Sequence, residues 1–211
     1  MKLTTQQNEC FQLVKAFLSD PSQHVFILRG YAGTGKTFLL NTVANYLHDD
    51  NKPFLLMAPT GRAAKVLRSK INIQEATTIH RAIYSFSHVK VSEKDDLIQF
   101  IFPLSVNEYN AVCLVDEASM ISSRQSNAEL FQFGSGVLLD DLLNFAHVST
   151  NGKVIFVGDP MQLPPVGDNE SNALTDKYFE DLGISCSSFE LTDVVRQDKE
   201  STILKNAMAN P

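Results

Sequence analysis

The sequence predicts an α/β fold: a central parallel β-sheet flanked by helices, interrupted by a small β-hairpin insertion. Three observations predict it. Short runs that are apolar at every position recur along the chain, and helical patterns separate them. Those runs end in glycine, proline or a carboxylate rather than fading into polar sequence. One stretch, Phe86 to Phe102, breaks the rhythm with two apolar segments around a polar turn. Runs apolar at every position suit strands buried on both faces, which is the position of parallel strands beneath crossover helices.

From the amino terminus, Leu3 to Leu18 places Cys10, Phe11, Val14, Phe17 and Leu18 at helical spacing, with Thr4 and Thr5 as candidate caps, and Asp20-Pro21 ends the pattern. Val25 to Leu28 is a short strand running into Gly30, and Lys36 to Leu47 is helical through Phe38, Leu39, Val43, Ala44 and Leu47. A second strand, Phe54 to Ala58, ends at Pro59-Thr60-Gly61, and a helix follows from Arg62 to Arg68. Within Ile79 to Asn110 the hairpin is expected, with Phe86, Val89 and Val91 on one arm, Ser92 to Asp96 as the turn, and Leu97, Ile98, Phe100 and Phe102 on the other. A third strand, Ala111 to Val115, ends at Asp116-Glu117. Ile121 to Gly136 mixes polar residues with Phe131 and Phe133 and supports no assignment; a helix resumes over Val137 to Ala146. Val154 to Val157 is a fourth strand ending at Gly158-Asp159, Ser188 to Leu191 a fifth, and Ser201 to Ala209 a closing helix. In parallel sheets ligands gather at the carboxyl ends of strands. The glycine loop, Thr60, Asp116-Glu117 and Asp159 all fall there.

Composition sets the class. The 211 residues, 44% hydrophobic and 20% charged, suit one large globular domain with a small insertion. Cys10, Cys113 and Cys186 are isolated and odd in number, which fits a reducing compartment and offers no metal or disulfide framework. Apolar runs stay below the roughly 18 residues of a membrane span, and no signal-type apolar segment opens the chain, so a cytoplasmic protein without a membrane partner is expected. A net charge of -6 and a pI near 5.3 argue against a basic DNA-coating module. They do not exclude a motor that grips one strand locally between two domains.

Gly30-Tyr31-Ala32-Gly33-Thr34-Gly35-Lys36-Thr37 is a P-loop, Gly-x-x-x-x-Gly-Lys-Thr, in the strand-loop-helix setting that the motif requires. Its glycines let the backbone N–H groups of Gly30 to Gly35 wrap phosphates, Lys36 brings a cation to the β and γ phosphates, and Thr37 offers a hydroxyl to Mg²⁺. The expected ligands are ATP and Mg²⁺. Asp116, after a buried strand, would hold Mg²⁺ through water, and Glu117 would activate the attacking water as general base. Gln162, in Gly158-Asp159-Pro160-Met161-Gln162-Leu163-Pro164-Pro165-Val166-Gly167, can donate to a γ-phosphate oxygen or accept from that water; the same run also reads as a rigid proline loop. Arg196, in Leu191-Thr192-Asp193-Val194-Val195-Arg196-Gln197, can supply a planar donor to transition-state charge, or lie on the surface. A small-molecule kinase, or a nucleotide-binding module without turnover, shares the loop and the carboxylates.

Taken together the motifs resemble those of superfamily-one DNA helicases of the RecD and Dda type. The P-loop is similar to their motif I, Ala58-Pro59-Thr60-Gly61-Arg62-Ala63-Ala64 to motif Ia, and Thr77-Thr78-Ile79-His80-Arg81 to the next. Val115-Asp116-Glu117-Ala118-Ser119-Met120 resembles motif II, Gly158 to Gly167 motif III, Leu191 to Gln197 motif IV, and Leu3-Thr4-Thr5-Gln6-Gln7 the Q motif. They stand in family order from residue 3 to residue 197. The resemblance implies a RecA-like P-loop NTPase fold, ATP-driven movement on single-stranded DNA in the 5′ to 3′ direction, and unwinding of fork DNA. It implies that Gln7 reads adenine and that Thr60, Arg62, Thr78 and His80 lie along the strand's backbone, although His80 also suits a core position. The hairpin corresponds to a wedge whose aromatic, Phe86 or Phe100, stacks on a base or simply packs. It implies a motor domain over 1–80 and 109–211, an insertion over 81–108, and a partner: the second RecA-like domain of a longer chain. Without that domain this chain is expected not to unwind DNA.

Overall fold

The computed structural model describes residues 2–71, 73–94, 97–108, 110–126 and 130–194. Arg196 and the closing helix expected over 201–209 lie outside them. The elements in order are α1 (Thr5–Ser19), β1 (Val25–Gly30), α2 (Lys36–Asp49), β2 (Phe54–Ala58), α3 (Gly61–Lys70), β3 (Ala76–Thr78), α4 (Ile79–Ile83), β4 (Lys90–Lys94), β5 (Leu97–Phe102), β6 (Val112–Val115), β7 (Phe131–Phe133), α5 (Leu138–Phe145), β8 (Val154–Gly158), α6 (Asp176–Asp181) and β9 (Cys186–Leu191).

Six strands form one sheet in the order β3-β2-β6-β8-β1-β9, every pair parallel. In the four inner strands β2, β6, β8 and β1 alternate residues enter opposite layers, and both layers are buried, which is why these strands read as apolar runs. Phe26 and Leu28 of β1 join Phe17, Leu39, Leu47 and Leu56 on the α1–α2–α3 side. Ile27 joins Met57, Leu142, Phe156 and Phe179 on the side of α4, α5 and α6. Among the described residues no helix is long and apolar enough to cross a membrane.

The structure corrects the expected elements in three places. The fifth strand begins at Cys186 rather than Ser188, because its pairing with β1 runs from Val25↔Cys186 to Gly30↔Leu191 although its side chains are only half-buried. Strand β3 and helices α4 and α6, of three, five and six residues, had no expectation; each is too short to display a period. The insertion also differs. Ser92, Glu93 and Lys94, expected in the turn, belong to β4, which pairs antiparallel with β5 from Lys90↔Ile101 to Lys94↔Leu97. Phe86 precedes β4 and lies in no strand. The unassigned stretch supplies β7, which pairs parallel with β5 (Phe100↔Phe131), so the small sheet has three strands and draws one from beyond residue 108.

Where the insertion leaves the core, its two connecting chains are bonded to each other. The Ser85 N–H donates to the Pro103 carbonyl (2.8 Å), the Ser105 N–H donates to Ile83 (2.7 Å), and Tyr84 and Leu104 form an antiparallel bridge.

Candidate nucleotide site

β1 delivers the P-loop to the carboxyl edge of the sheet. Gly30 is held so tightly that a Cβ there would lie 2.7 Å from Thr34 Oγ1 and 3.0 Å from the Leu191 carbonyl oxygen. Gly33 and Gly35 adopt φ of 84° and 85°, the left-handed region open to residues without a Cβ. Gly35 is the N-cap of α2 and brings no side-chain cap. The N–H groups of the first turn of α2 are therefore left to an anion, with the positive end of the helix dipole behind them. Lys36 Nζ donates to the Gly30 (2.7 Å) and Tyr31 (3.1 Å) carbonyls across the loop. These features fit a triphosphate.

Two adjacent glutamines support the loop and its surroundings. Thr4 and Gln7 form a capping box, the Gln7 N–H donating to Thr4 Oγ1 (3.2 Å) and the Thr4 N–H to Gln7 Oε1 (3.1 Å). Gln7 Nε2 donates to the Thr34 carbonyl at 3.0 Å, and the side chain is buried. One end of its amide thus braces the P-loop from behind, while the other closes the cap of α1. Gln6 accepts from the N–H groups of Thr192 and Asp193 (3.0 Å each) and donates to Thr192 Oγ1 (2.9 Å). Sequence reading missed Gln6, because only the fold brings its partners across 186 residues.

The acidic pair follows β6, which lies beside β8, itself beside β1. Asp116 is buried, and desolvation, then the Glu117 charge, push its pKa up to about 6, against the pull of the Glu117 N–H and of Lys70 and Lys36. Glu117 sits at φ 55° and ψ 38°, a strained conformation for a residue with a side chain. Its N–H donates to Asp116 Oδ1 at 3.1 Å. Two residues on, buried Ser119 donates to Gln162 Oε1 at 2.8 Å, joining the acidic turn to the loop after β8. Sequence reasoning gives Ser119 no role; the signal it carries is a small hydroxyl side chain directly after the acidic pair and Ala118. In the loop after β8 the Met161 N–H donates to Asp159 Oδ1 (2.9 Å), while Met161, Leu163 and Val166 stand exposed.

The residues assigned to DNA by resemblance cluster at the ends of β2 and β3. Thr60 caps α3, accepting the Ala63 N–H (3.1 Å), and Arg62 is exposed on its first turn. Thr78 caps α4, accepting the Arg81 N–H (3.2 Å). His80 is half-buried, its ring against Tyr84 (centroids 5.6 Å apart) and Phe133 (5.2 Å), and burial lowers its pKa below the ordinary 6.5. It borders a cleft of about 500 Å³ with Ser122, Arg124, Gln125 and Val166. Arg124, which sequence reading did not single out, is fixed there by Asp168 at 2.9 Å. Phe86 is 53% exposed, its ring 5.3 Å from that of Phe102, and Phe100 lies 5.9 Å from Phe131.

A family model described as an AAA domain matches residues 2–210. The ATP-dependent DNA helicase Pif1 of Psychrobacter sp. (strain PRwf-1) is 33% identical over 159 residues, covering 69% of this chain and 20% of that protein. The ATP-dependent DNA helicase dda of Enterobacteria phage T4 is 29% identical over 197 residues, covering 93% of this chain and 40% of that protein. Among solved structures, the crystal structure of Bacteroides Pif1 bound to ssDNA shares the fold at a TM-score of 0.53 and 20% identity, over 97% of this chain and 45% of the other. Across five curated relatives, the chain spans between 14% and 40% of their length. With the family match running almost from end to end, the chain belongs to the AAA domain family and counts ATP-dependent DNA helicases among its relatives.

Proposed function

We propose that the chain is the first motor domain of a helicase that couples ATP hydrolysis to movement along single-stranded DNA and to opening of fork DNA. The observation that carries this reading is the meeting of Lys36, Asp116-Glu117 and Gln162 at the carboxyl ends of three neighbouring strands, with Ser119 bonded to Gln162. The backbone of Gly30, Ala32, Gly33, Thr34 and Gly35 receives the phosphates of ATP, and Lys36 exchanges the Gly30 and Tyr31 carbonyls for β and γ oxygens. Thr37 and Asp116 would hold Mg²⁺, whose charge neutralises the phosphates. Glu117 takes a proton from the water whose oxygen bonds to the γ phosphorus, and the bond to the β–γ bridging oxygen breaks as ADP departs. Gln162 orients the γ-phosphate or that water, and Arg196 offsets the charge that develops. Gln7, whose amide already braces the loop, would read the adenine of ATP through the remaining lone pair of Oε1.

Thr60, Arg62, Thr78 and His80 run beside the DNA backbone, Phe86 stacks on a base, and the insertion (81–108), completed by β7, acts as the wedge on a motor core of 1–80 and 109–211. Steps come from closure against a second RecA-like domain of the same full-length protein. The test is Lys36→Ala in the full-length protein, measuring ATP hydrolysis with saturating single-stranded DNA. Hydrolysis should fall by about 10²-fold or more, the scale of losing one well-placed charge donor. DNA-stimulated hydrolysis that survives the change overturns the assignment.

A further inference from the structure

The small sheet meets the core at a joint built around one buried carboxylate. Asp141, in the first turn of α5, is 3% exposed and accepts three contacts. Tyr84 Oη donates to its Oδ2 at 2.7 Å, and the Ser135 N–H is shared between Oδ1 and Oδ2 at 3.1 Å each. Tyr84 ends α4, one turn beyond His80; Ser135 follows β7. Between them Gly134, at φ 49°, donates its N–H to the Phe102 carbonyl of β5 (2.9 Å), and a Cβ there would collide with the Asp141 carboxylate. The Tyr84 ring lies against both His80 and Phe133, and Phe133 stacks on Phe102 with centroids 4.7 Å apart.

The backbone bonds between the two connecting chains tie them to each other, not to α5. Phe102, Leu104 and Phe133 pack against the core, a contact without fixed direction. The Asp141 side chain adds directional bonds, since it accepts from donors on both α4 and the β7 turn at a buried site. We propose that Asp141 is a positioning residue for strand separation: through Tyr84 and Ser135 it fixes the small sheet to the His80 segment, so that load on the wedge reaches the part of the core that grips DNA. This inference rests on the helicase reading above.

The test uses Tyr84→Phe and Asp141→Asn in the full-length protein, measuring ATP turnover on single-stranded DNA and base pairs opened per ATP on a forked duplex. Tyr84→Phe keeps the ring stack and loses only the hydroxyl. Its turnover should stay within about twofold of the parent while base pairs opened per ATP fall about fivefold, and Asp141→Asn should shift the ratio the same way. A ratio unchanged in both variants, or turnover and opening that fall in parallel, overturns the inference while the helicase reading stands. A parent protein without DNA-stimulated ATP turnover sinks both.

Discussion

Glu117 occupies a left-handed backbone conformation, which costs a residue with a Cβ roughly 1–2 kcal/mol. The strain sits at the end of a buried strand, at the residue proposed above as the general base. Glu117→Gly should therefore raise the melting temperature, by about 1 kcal/mol of added stability, while removing hydrolysis, so that protein stability and turnover move in opposite directions. Gly30→Ala should instead lose both: its methyl meets Thr34 Oγ1 and the Leu191 backbone, and destabilisation of about 1–3 kcal/mol is expected from chemical denaturation. His80 carries a pH signature. Burial lowers its folded pKa below 6.5, so below that pH the unfolded chain binds more protons than the folded one. Its contribution is complete above 6.5 and is lost as pH falls from there through the folded value. A His80→Phe variant should show a flatter loss of stability across that window in melting experiments. The candidate residues of the P-loop and the acidic pair could be named from sequence because P-loop chemistry demands those types at that spacing. Ser119, Gln6 and Arg124 could not, since a serine, a glutamine or an arginine acquires its role from a partner far away in sequence.

Among the elements, α1 supports the nucleotide site most directly. Its capping box uses Gln7 at the third position, and the same amide reaches Thr34, so helix start and P-loop share one side chain. Gln7→Ala leaves a buried carbonyl without its donor and should cost about 1–3 kcal/mol in denaturation, with weaker ATP binding measured alongside. Elements with a full period were readable: β2 matches residue for residue, and α2 extends only from Leu47 to Asp49 beyond the expected end. The small sheet was readable only in part. Ser92, Glu93 and Lys94 within β4 are polar in succession and so read as a turn, and β7, at three residues, is too short for its alternation to be distinctive.

At the scale of the whole molecule, the small sheet shares no strand with the main sheet and meets the core through the packing of Phe102, Leu104 and Phe133 and through the Asp141 joint. Replacing residues 88–99 with a short Gly-Ser turn should leave DNA-stimulated ATP turnover within about twofold while opening of a forked duplex falls at least about tenfold, which paired ATPase and unwinding assays would check. The order of the six strands has another consequence. β1, which carries the P-loop, takes both neighbours from late in the chain, Val25 pairing with Val154 and with Cys186, whereas β2 pairs with β3 and β6. During synthesis on the ribosome the β2–β3–β6 half has its partners first. The nucleotide cradle is assembled last, once Leu191 has emerged beside Gly30, so a nascent chain becomes competent to hold ATP only near the end of this domain's translation.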